Sequence, residues 1–288
     1  MDWMKARPIY FVISGIFILI GIFSLLKWGF NPGIDFTGGT IVEYKVTSDI
    51  DKNLIEQNIK KEGIEVESIQ INNKVYTLRL SPVSVEQRTK LREIVKQLNK
   101  ESQELKFETV GPVVGPELIK KTVYALLIAS TLILLWVAYQ FKSIKFGASA
   151  ILAMLHDSLV LLGSFALLGH LYGVQIDFLF VTAVLTILSF SVHDTIVVYD
   201  RIREFQKKTG GNIYDLANNA VSETMVRSLN NSFTIIFMLF ALALLGGESI
   251  KWFAVALLIG TISGTYSSPF VAVPILVTWD ELQKKIKR

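Results

Sequence analysis

The chain has 288 residues, of which 51% are hydrophobic and 19% are charged, and its formal net charge is +4. A soluble domain carries about 25% charged residues, whereas the apolar residues here form runs long enough to cross a bilayer, which takes about 20 residues. The absence of cysteine excludes disulfides, thiolate metal sites and thiol catalysis.

Six stretches are apolar enough to be predicted as transmembrane helices. The first has a basic start, but its apolar run is too long for the core of a signal peptide, and Leu25–Trp28 is not a small-residue cleavage site. We therefore expect it to be an uncleaved anchor. The six predicted spans are Pro8–Leu26, Thr122–Phe141, Ala148–Leu171, Ile176–Tyr199, Leu229–Leu245 and Ile250–Val277.

The positions of Lys and Arg in the connecting segments predict the orientation of the chain. The short loops 172–175 and 246–249 contain neither residue, whereas four segments with basic residues, namely the two chain ends and the connections between spans two and three and between spans four and five, fall on the opposite side. We therefore expect a multi-pass membrane protein with both termini in the cytoplasm. The residues that predict this orientation are Lys5, Arg7, Lys142, Lys145, Arg201, Arg203, Lys207, Lys208, Arg227, Lys284, Lys285, Lys287 and Arg288.

The polar segment between the first two spans has the pattern of a small α+β domain. Alternating, β-rich stretches predict strands, and apolar residues at helical spacing predict helices. The resulting order, β-α-β-β-α-β, is that of a ferredoxin-like fold. The predicted elements are strand Thr40–Val46, helix Lys52–Glu62, strands Val66–Ile71 and Val75–Leu80 joined by a tight turn at Asn72-Asn73, helix Ser84–Asn99 and strand Leu105–Val110.

The predicted fold is therefore a membrane all-α protein of six helices on a one-plus-five plan, with an α+β ferredoxin-like extracytoplasmic domain. The sequence divides into the first helix at residues 1–28, the outer domain at 29–120 and the remaining helices at 121–288. Within the last part we expect a cytoplasmic loop at 200–228.

No motif in the sequence indicates an enzyme. There is no Gly-rich phosphate loop, nucleophile elbow or zinc-protease motif. Gly38 and Gly39 do not follow a strand into a helix, so we interpret them as a backbone turn rather than a dinucleotide site. We expect no enzymatic activity, no cofactor, no metal site and no nucleic-acid partner.

Ionisable residues inside the predicted spans are the functional candidates, because charges are costly there. His156 and Asp157 lie in span three, and His193 and Asp194 lie near the cytoplasmic end of span four. These two spans are antiparallel neighbours joined by a short loop. We therefore expect the two His-Asp pairs at similar depth, in the cytoplasmic half of the bilayer.

Two interpretations of these residues stay open. In the first they form a proton or cation relay, since a low dielectric disfavours the charged carboxylate and brings proton exchange close to neutral pH. Ser191 lies one turn from Asp194 on the same face, Thr195 adjoins it, and Arg227 is the only Arg placed to oppose its charge. In the second, these groups only hydrogen-bond between helices, and Arg227 extends to the interface.

Two further features favour structural roles. Span six contains Gly260 and Gly264, a small-xxx-small spacing that lets helices approach closely, and Pro269 and Pro274 interrupt its regular helix. A charged helix end that fixes topology closes span four, and it consists of Asp200, Arg201, Arg203 and Glu204.

Three motifs and the one-plus-five plan give the chain a resemblance to the SecD/SecF family of the resistance-nodulation-division superfamily, and within it to the SecF type. The motifs are Gly33–Gly39 with Asp35, Gly38 and Gly39, then Val110–Leu118 with Gly111 and Gly115, and Ser191–Glu204 in the fourth span. The resemblance covers almost the whole chain. Family members commonly have Asn where this chain has His193, so the family implies no role for that His.

The resemblance implies a function and partners. It implies that Asp194 is the ion-coupling carboxylate and Arg227 its membrane-embedded cation. It implies an accessory subunit of the Sec preprotein translocase in the bacterial inner membrane, which uses the flow of H⁺ or Na⁺ to promote export. The implied partners are SecD, YajC, the SecYEG translocon and preprotein substrates. A self-sufficient lipid or drug exporter and a structural scaffold remain as alternatives.

Overall fold

The computed structural model describes residues 2–111, 114–141 and 143–286, which form two units. The described residues up to Asn31 and from Ala125 onward form a membrane unit, and Pro32–Tyr124 form an outer unit. Some residues named above lie outside the described ranges, namely Pro112, Val113, Lys142, Lys287 and Arg288.

The secondary structure is mostly helical, with one small sheet. A 3-10 turn at Met4–Ala6 precedes the first helix, and a π-helical turn at Ser268–Ala272 separates the last two. The elements are α1 (Arg7–Lys27), α2 (Ile34–Thr37), β1 (Gly39–Lys45), α3 (Lys52–Lys61), β2 (Val66–Asn72), β3 (Val75–Leu80), α4 (Val85–Leu98), β4 (Gln103–Val110), α5 (Val114–Phe141), α6 (Ile144–Tyr172), α7 (Phe178–Thr209), α8 (Ile213–Leu245), α9 (Glu248–Ser267) and α10 (Val273–Ile286).

Six helical stretches among the described residues are long and apolar enough to cross a membrane, which confirms the predicted multi-pass architecture. They are α1 with its preceding turn, α5, α6, α7, α8, and the combined α9, π-helical turn and α10. The interior of the membrane unit is formed mainly by α6, α7 and the sixth span, where about half of each apolar stretch is buried. The α1, α5 and α8 helices leave most of their apolar surface exposed.

The predicted loop at 200–228 is wrong as a description of the backbone, because α7 continues to Thr209 and α8 begins at Ile213. Hydropathy detects the part of a helix inside the bilayer, and a helix can continue beyond it with charged side chains. Such side chains stabilise the extension of α7, where Lys208 donates to Glu204 over 2.6 Å at i,i+4 spacing. Gly210, with a φ of +61°, then ends the helix.

The sixth span is continuous but irregular. The π-helical turn at Ser268–Ala272 contains Pro269, and α10 has Pro274 as its second residue. Proline cannot donate the backbone hydrogen bond of a regular helix, and π-helical turns occur often at functional sites. The carbonyl of Ala272 in this turn accepts a 2.9 Å hydrogen bond from the hydroxyl of Tyr199.

Basic residues meet acidic ones at one end of the membrane unit. Arg7 of α1 pairs with Glu281 over 2.6 Å, and Lys145 of α6 pairs with Asp280 over 2.5 Å. Lys284 pairs with the other oxygen of Asp280 over 2.8 Å. Three segments that predict the cytoplasmic side are thus brought to the same end of the bundle, as that orientation requires.

The outer unit holds a four-stranded antiparallel sheet in the order β2-β3-β1-β4. Its core is apolar and includes Ile55 and Ile59 of α3 together with Leu91 and Val95 of α4. Apart from α2, the observed order is the predicted β-α-β-β-α-β; the ferredoxin-like assignment stays a prediction. The hairpin turn lies one residue later than predicted, at Asn73 and Lys74, which have φ values of +47° and +63°.

Candidate functional site: buried carboxylates between membrane helices

The carboxylate of Asp157 is the centre of a buried hydrogen-bond network that joins three helices. Asp157 lies on α6 and is 1% exposed. Its Oδ2 accepts from the hydroxyls of Ser191 on α7 and Ser267 on α9, each over 2.6 Å. Its Oδ1 accepts from Ser263 on α9 over 2.6 Å. The ring Nδ1 of His156 lies 3.0 Å from the same Oδ1.

These four contacts match the hydrogen-bonding capacity of an ionised carboxylate. Two carboxylate oxygens offer about four lone-pair sites, and a separation of 2.6 Å is typical of hydroxyl hydrogen bonds to a charged oxygen. The other ring nitrogen of His156, Nε2, is buried and has no hydrogen-bond partner among the described residues.

Asp194, unlike Asp157, is not fully hydrogen-bonded by the described residues. It lies on α7 and is 3% exposed, and within the described ranges its Oδ2 is buried without a hydrogen-bond partner. The two residues expected to accompany it are engaged elsewhere. Ser191 donates to Asp157, and Thr195 shares a 3.0 Å hydrogen bond with Ser268 of the π-helical turn. The neighbouring His193 is exposed.

Arg227 lies on α8 with an exposed side chain. It makes no hydrogen bond or ion pair with another described residue, so its pairing with Asp194 stays a prediction. It lines a polar cavity of about 410 Å³ between the ends of α7 and α8. The other residues around this cavity are Val197, Asp200, Arg201, Glu204, Glu223 and Thr224.

The charged end of α7 connects this helix to two neighbours. Arg201 forms short ion pairs with Glu204 in its own helix and with Glu223 on α8. Arg203 donates to the backbone carbonyl of Gln140 on α5 over 3.1 Å. Arg203 also lies 3.9 Å from Asp200, the longest of these ion pairs. These contacts place the motif at a junction of α5, α7 and α8.

The two glycine motifs of the outer unit meet at their backbones. A Cβ at Gly115 would lie 2.5 Å from the carbonyl oxygen of Phe36, so only glycine fits there. Gly38 and Gly39 have φ values of +75° and +124°, which are unfavourable for other residues. Asp35 is half-buried in the first turn of α2. Gly111 has only ordinary contacts around its Cβ position.

Close packing of α7 against α9 brings the serines to Asp157. A Cβ at Gly260 would lie 2.3 Å from the side chain of Ile187, and one at Gly264 would lie 3.4 Å from the Cα of Ser191. Ser263 and Ser267 were not predicted from the sequence as partners of the buried carboxylate. Their spacing of four residues, which puts both hydroxyls on one helix face, was the available signal.

The described part of the chain has no group of three or more His, Cys, Asp or Glu side chains arranged to hold a metal ion. The polar chemistry of the membrane interior here consists of two carboxylates, hydroxyl groups and imidazoles. Such a set can bind or move a proton or a small cation.

Comparison with known proteins gives matches over nearly the whole chain. The model of the family "Protein export membrane protein SecD/SecF, C-terminal" matches residues 90–282, and the "SecD/SecF GG Motif" model matches residues 23–50. A protein named Protein translocase subunit SecF from Thermobaculum terrenum is 40% identical over 97% of this chain and 94% of its own length. The protein of the same name from Haemophilus influenzae is 33% identical over 95% of this chain and 84% of its own.

A solved structure has the same fold. The crystal structure of SecDF, a translocon-associated membrane protein from Thermus thermophilus, matches 98% of this chain with a TM-score of 0.85 and 31% identity. The match covers 39% of the SecDF chain, so that relative has a large part that this chain does not contain. On the strength of the family model and the full-length relatives, this chain belongs to the SecD/SecF family of protein export membrane proteins.

Proposed function

We propose that this chain is an accessory subunit of the Sec preprotein translocase in the bacterial inner membrane. It uses a proton or sodium gradient to promote export of preproteins, and it does so together with a SecD-type half-transporter. Both termini lie in the cytoplasm, and the SecYEG translocon and YajC are its further partners. The names of the relatives and the match to part of a SecDF chain support this assignment.

The state of Asp194 is the observation that favours ion coupling over a scaffold. A carboxylate that only packs helices together is expected to have its oxygens hydrogen-bonded, because an unsatisfied buried acceptor costs about 1–3 kcal/mol. Oδ2 of Asp194 is buried and has no partner among the described residues. An oxygen in this state is available to a proton or a metal cation.

This chain exposes polar and apolar surface on its membrane helices that a second half-transporter would cover. Arg227 and His193 are exposed on helices that cross the membrane, where an ionisable side chain normally faces protein or water rather than lipid. The SecDF relative extends well beyond the portion that this chain matches. A separate chain that supplies this other half would cover these side chains.

The test is preprotein export into inverted membrane vesicles that contain this chain and its partners, with and without an imposed ion gradient. Asp194→Asn keeps the size of the side chain but cannot titrate, so it should abolish the gradient-dependent part of export and spare the ATP-driven part. Asp177→Asn is the matched control, because Asp177 caps α7 through the backbone N–H of Phe180 and asparagine caps equally well. Full gradient stimulation in the Asp194→Asn variant would refute the proposed role.

A further inference from the structure

Two of the three buried aspartates of the membrane unit, Asp157 and Asp194, differ in a way that assigns them different roles. Asp157 has four hydrogen-bonding neighbours, whereas Asp194 has an oxygen without a hydrogen-bond partner among the described residues. Both are less than 5% exposed, so burial does not distinguish them. The difference is whether each carboxylate can still accept a further hydrogen bond.

The four neighbours of Asp157 occupy both of its carboxyl oxygens. Three of them are serine hydroxyls that donate to it, and the ring Nδ1 of His156 lies 3.0 Å from Oδ1. Two carboxylate oxygens offer about four lone-pair sites, so these neighbours use the hydrogen-bonding capacity of the group. The network around Asp157 therefore serves to hold neighbouring helices together.

The donors also determine where the neighbouring helices sit. Ser191 lies three residues before Asp194, so the hydrogen bond to Asp157 fixes the turn of α7 directly before the coupling residue. Thr195, directly after Asp194, contacts Ser268 at the start of the π-helical turn. Asp194 is thus flanked along α7 by two contacts to other helices.

We infer that Asp157 is a positioning residue: through Ser191, Ser263 and Ser267 it holds α7 against α9 so that Asp194 is correctly placed. This inference rests on the proposed ion-coupling role of Asp194. It assigns Asp157 to the structure of the coupling site and not to the transfer of the ion.

A stability measurement tests the network without reference to transport. We would purify variants of the full chain in mild detergent and follow helix content during titration with SDS. Ser263→Ala and Ser267→Ala should each raise the unfolding equilibrium constant about threefold to tenfold, the range for one such hydrogen bond. In an Asp157→Asn background, either serine substitution should change the unfolding equilibrium constant less, because the hydrogen-bond partner of the serine is already altered. Ser164→Ala is the control, since among the described residues that hydroxyl donates only to the carbonyl of Val160 in its own helix.

Export measured against pH distinguishes positioning from ion transfer. Ser263→Ala should lower the gradient-stimulated component severalfold and leave its pH midpoint unchanged, and Ser263→Thr, which retains the hydroxyl, should restore it. A relay through Asp157 predicts a shifted midpoint, because removing a donor changes its titration. Such a shift, or additive stability effects of the serine and Asp157 variants, would overturn the inference. If Asp194→Asn retained full stimulation, the proposed function would fail while the stability result still stood.

Discussion

The hydroxyl of Ser191 donates a 2.6 Å hydrogen bond to Asp157, which ties the fourth membrane-spanning helix to the third one turn before Asp194. The residue that the sequence places beside Asp194 thus serves the other carboxylate. As a result, one aspartate is saturated with donors, and the second keeps a buried oxygen available. A site that captures and releases a cation needs both a free acceptor and a rigid support.

The positive charge of Arg227 should be essential for gradient-dependent export. Arg227→Met should remove the gradient-dependent part of export, because Asp194, the proposed coupling carboxylate, would lose its predicted cation. Arg227→Lys should retain part of the activity, since a point charge survives although the planar fork is lost. The measurement is export into vesicles with and without an ion gradient. Lys208→Met, which removes a charge from the exposed end of α7, is the control; equal losses in both variants would contradict the prediction.

The chain should be isolated with a homologous half-transporter. Mild detergent extraction of native membranes, followed by affinity purification of this chain, should recover a SecD-type protein with a larger outer domain. The physical reason is that exposed ionisable side chains such as Arg227 require a protein or aqueous surface. Mass spectrometry identifies the partner. An active homodimer without such a protein would instead favour the self-sufficient exporter.

The outer unit should lie outside the cytoplasm. Asn73 is exposed at the tip of the β2–β3 hairpin, and the natural chain has no cysteine, so Asn73→Cys introduces a single thiol. It should react with a membrane-impermeant thiol reagent added to cells whose outer envelope has been removed and whose cytoplasmic membrane is intact. A cysteine at Lys207, at the far end of α7, should react only after the membrane is opened. The reverse pattern would contradict the predicted orientation.

The glycines at helix contacts should differ in how well they tolerate a methyl group. Gly260→Ala places its Cβ against the side chain of Ile187, so it should cost about 1–3 kcal/mol and be partly rescued by Ile187→Ala. Gly163→Ala places its Cβ 2.2 Å from the Cα of Gly21, where only backbone movement can relieve the clash. It should therefore cost more.

Titration with SDS gives both free energies of unfolding. Gly15→Ala is the control, because a Cβ at Gly15 would meet nothing within 4 Å. The effects of Gly260→Ala and Ile187→Ala should be non-additive; simple addition would show that the contact between these residues does not limit packing.

Sequence patterns predicted the number of spans and the order of elements in the outer unit, because both follow from local periodicity. Bilayer thickness sets the length of an apolar run, and strands and helices repeat their apolar residues at different intervals. Local patterns predict the burial of single residues less well. Val85 is apolar and belongs to the predicted helix Ser84–Asn99, but it is 84% exposed and is the first residue of α4.

The connections around Asp157 could not be predicted for a different reason. Which carboxylate receives the Ser191 hydroxyl depends on the distance between two helices and on a side-chain rotamer, and neither is encoded in spacing along one helix. Gly264 indicated that span six approaches another helix closely, but the sequence did not show which helix that is. The role of Ser263 follows only once that partner is known.

The π-helical turn at Ser268–Ala272 changes the angular phase of the sixth span. A π-helical turn contains one more residue than the corresponding α-helical turn. Since each residue advances an α-helix by about 100°, the extra residue rotates the following part of the helix by about that angle. Ser263 and Ser267 before the turn, and Asp280 after it, contact the same neighbouring helix, α6, at Asp157 and Lys145. Loss of a single residue from this turn would rotate Asp280 away from Lys145 while leaving the serines in place.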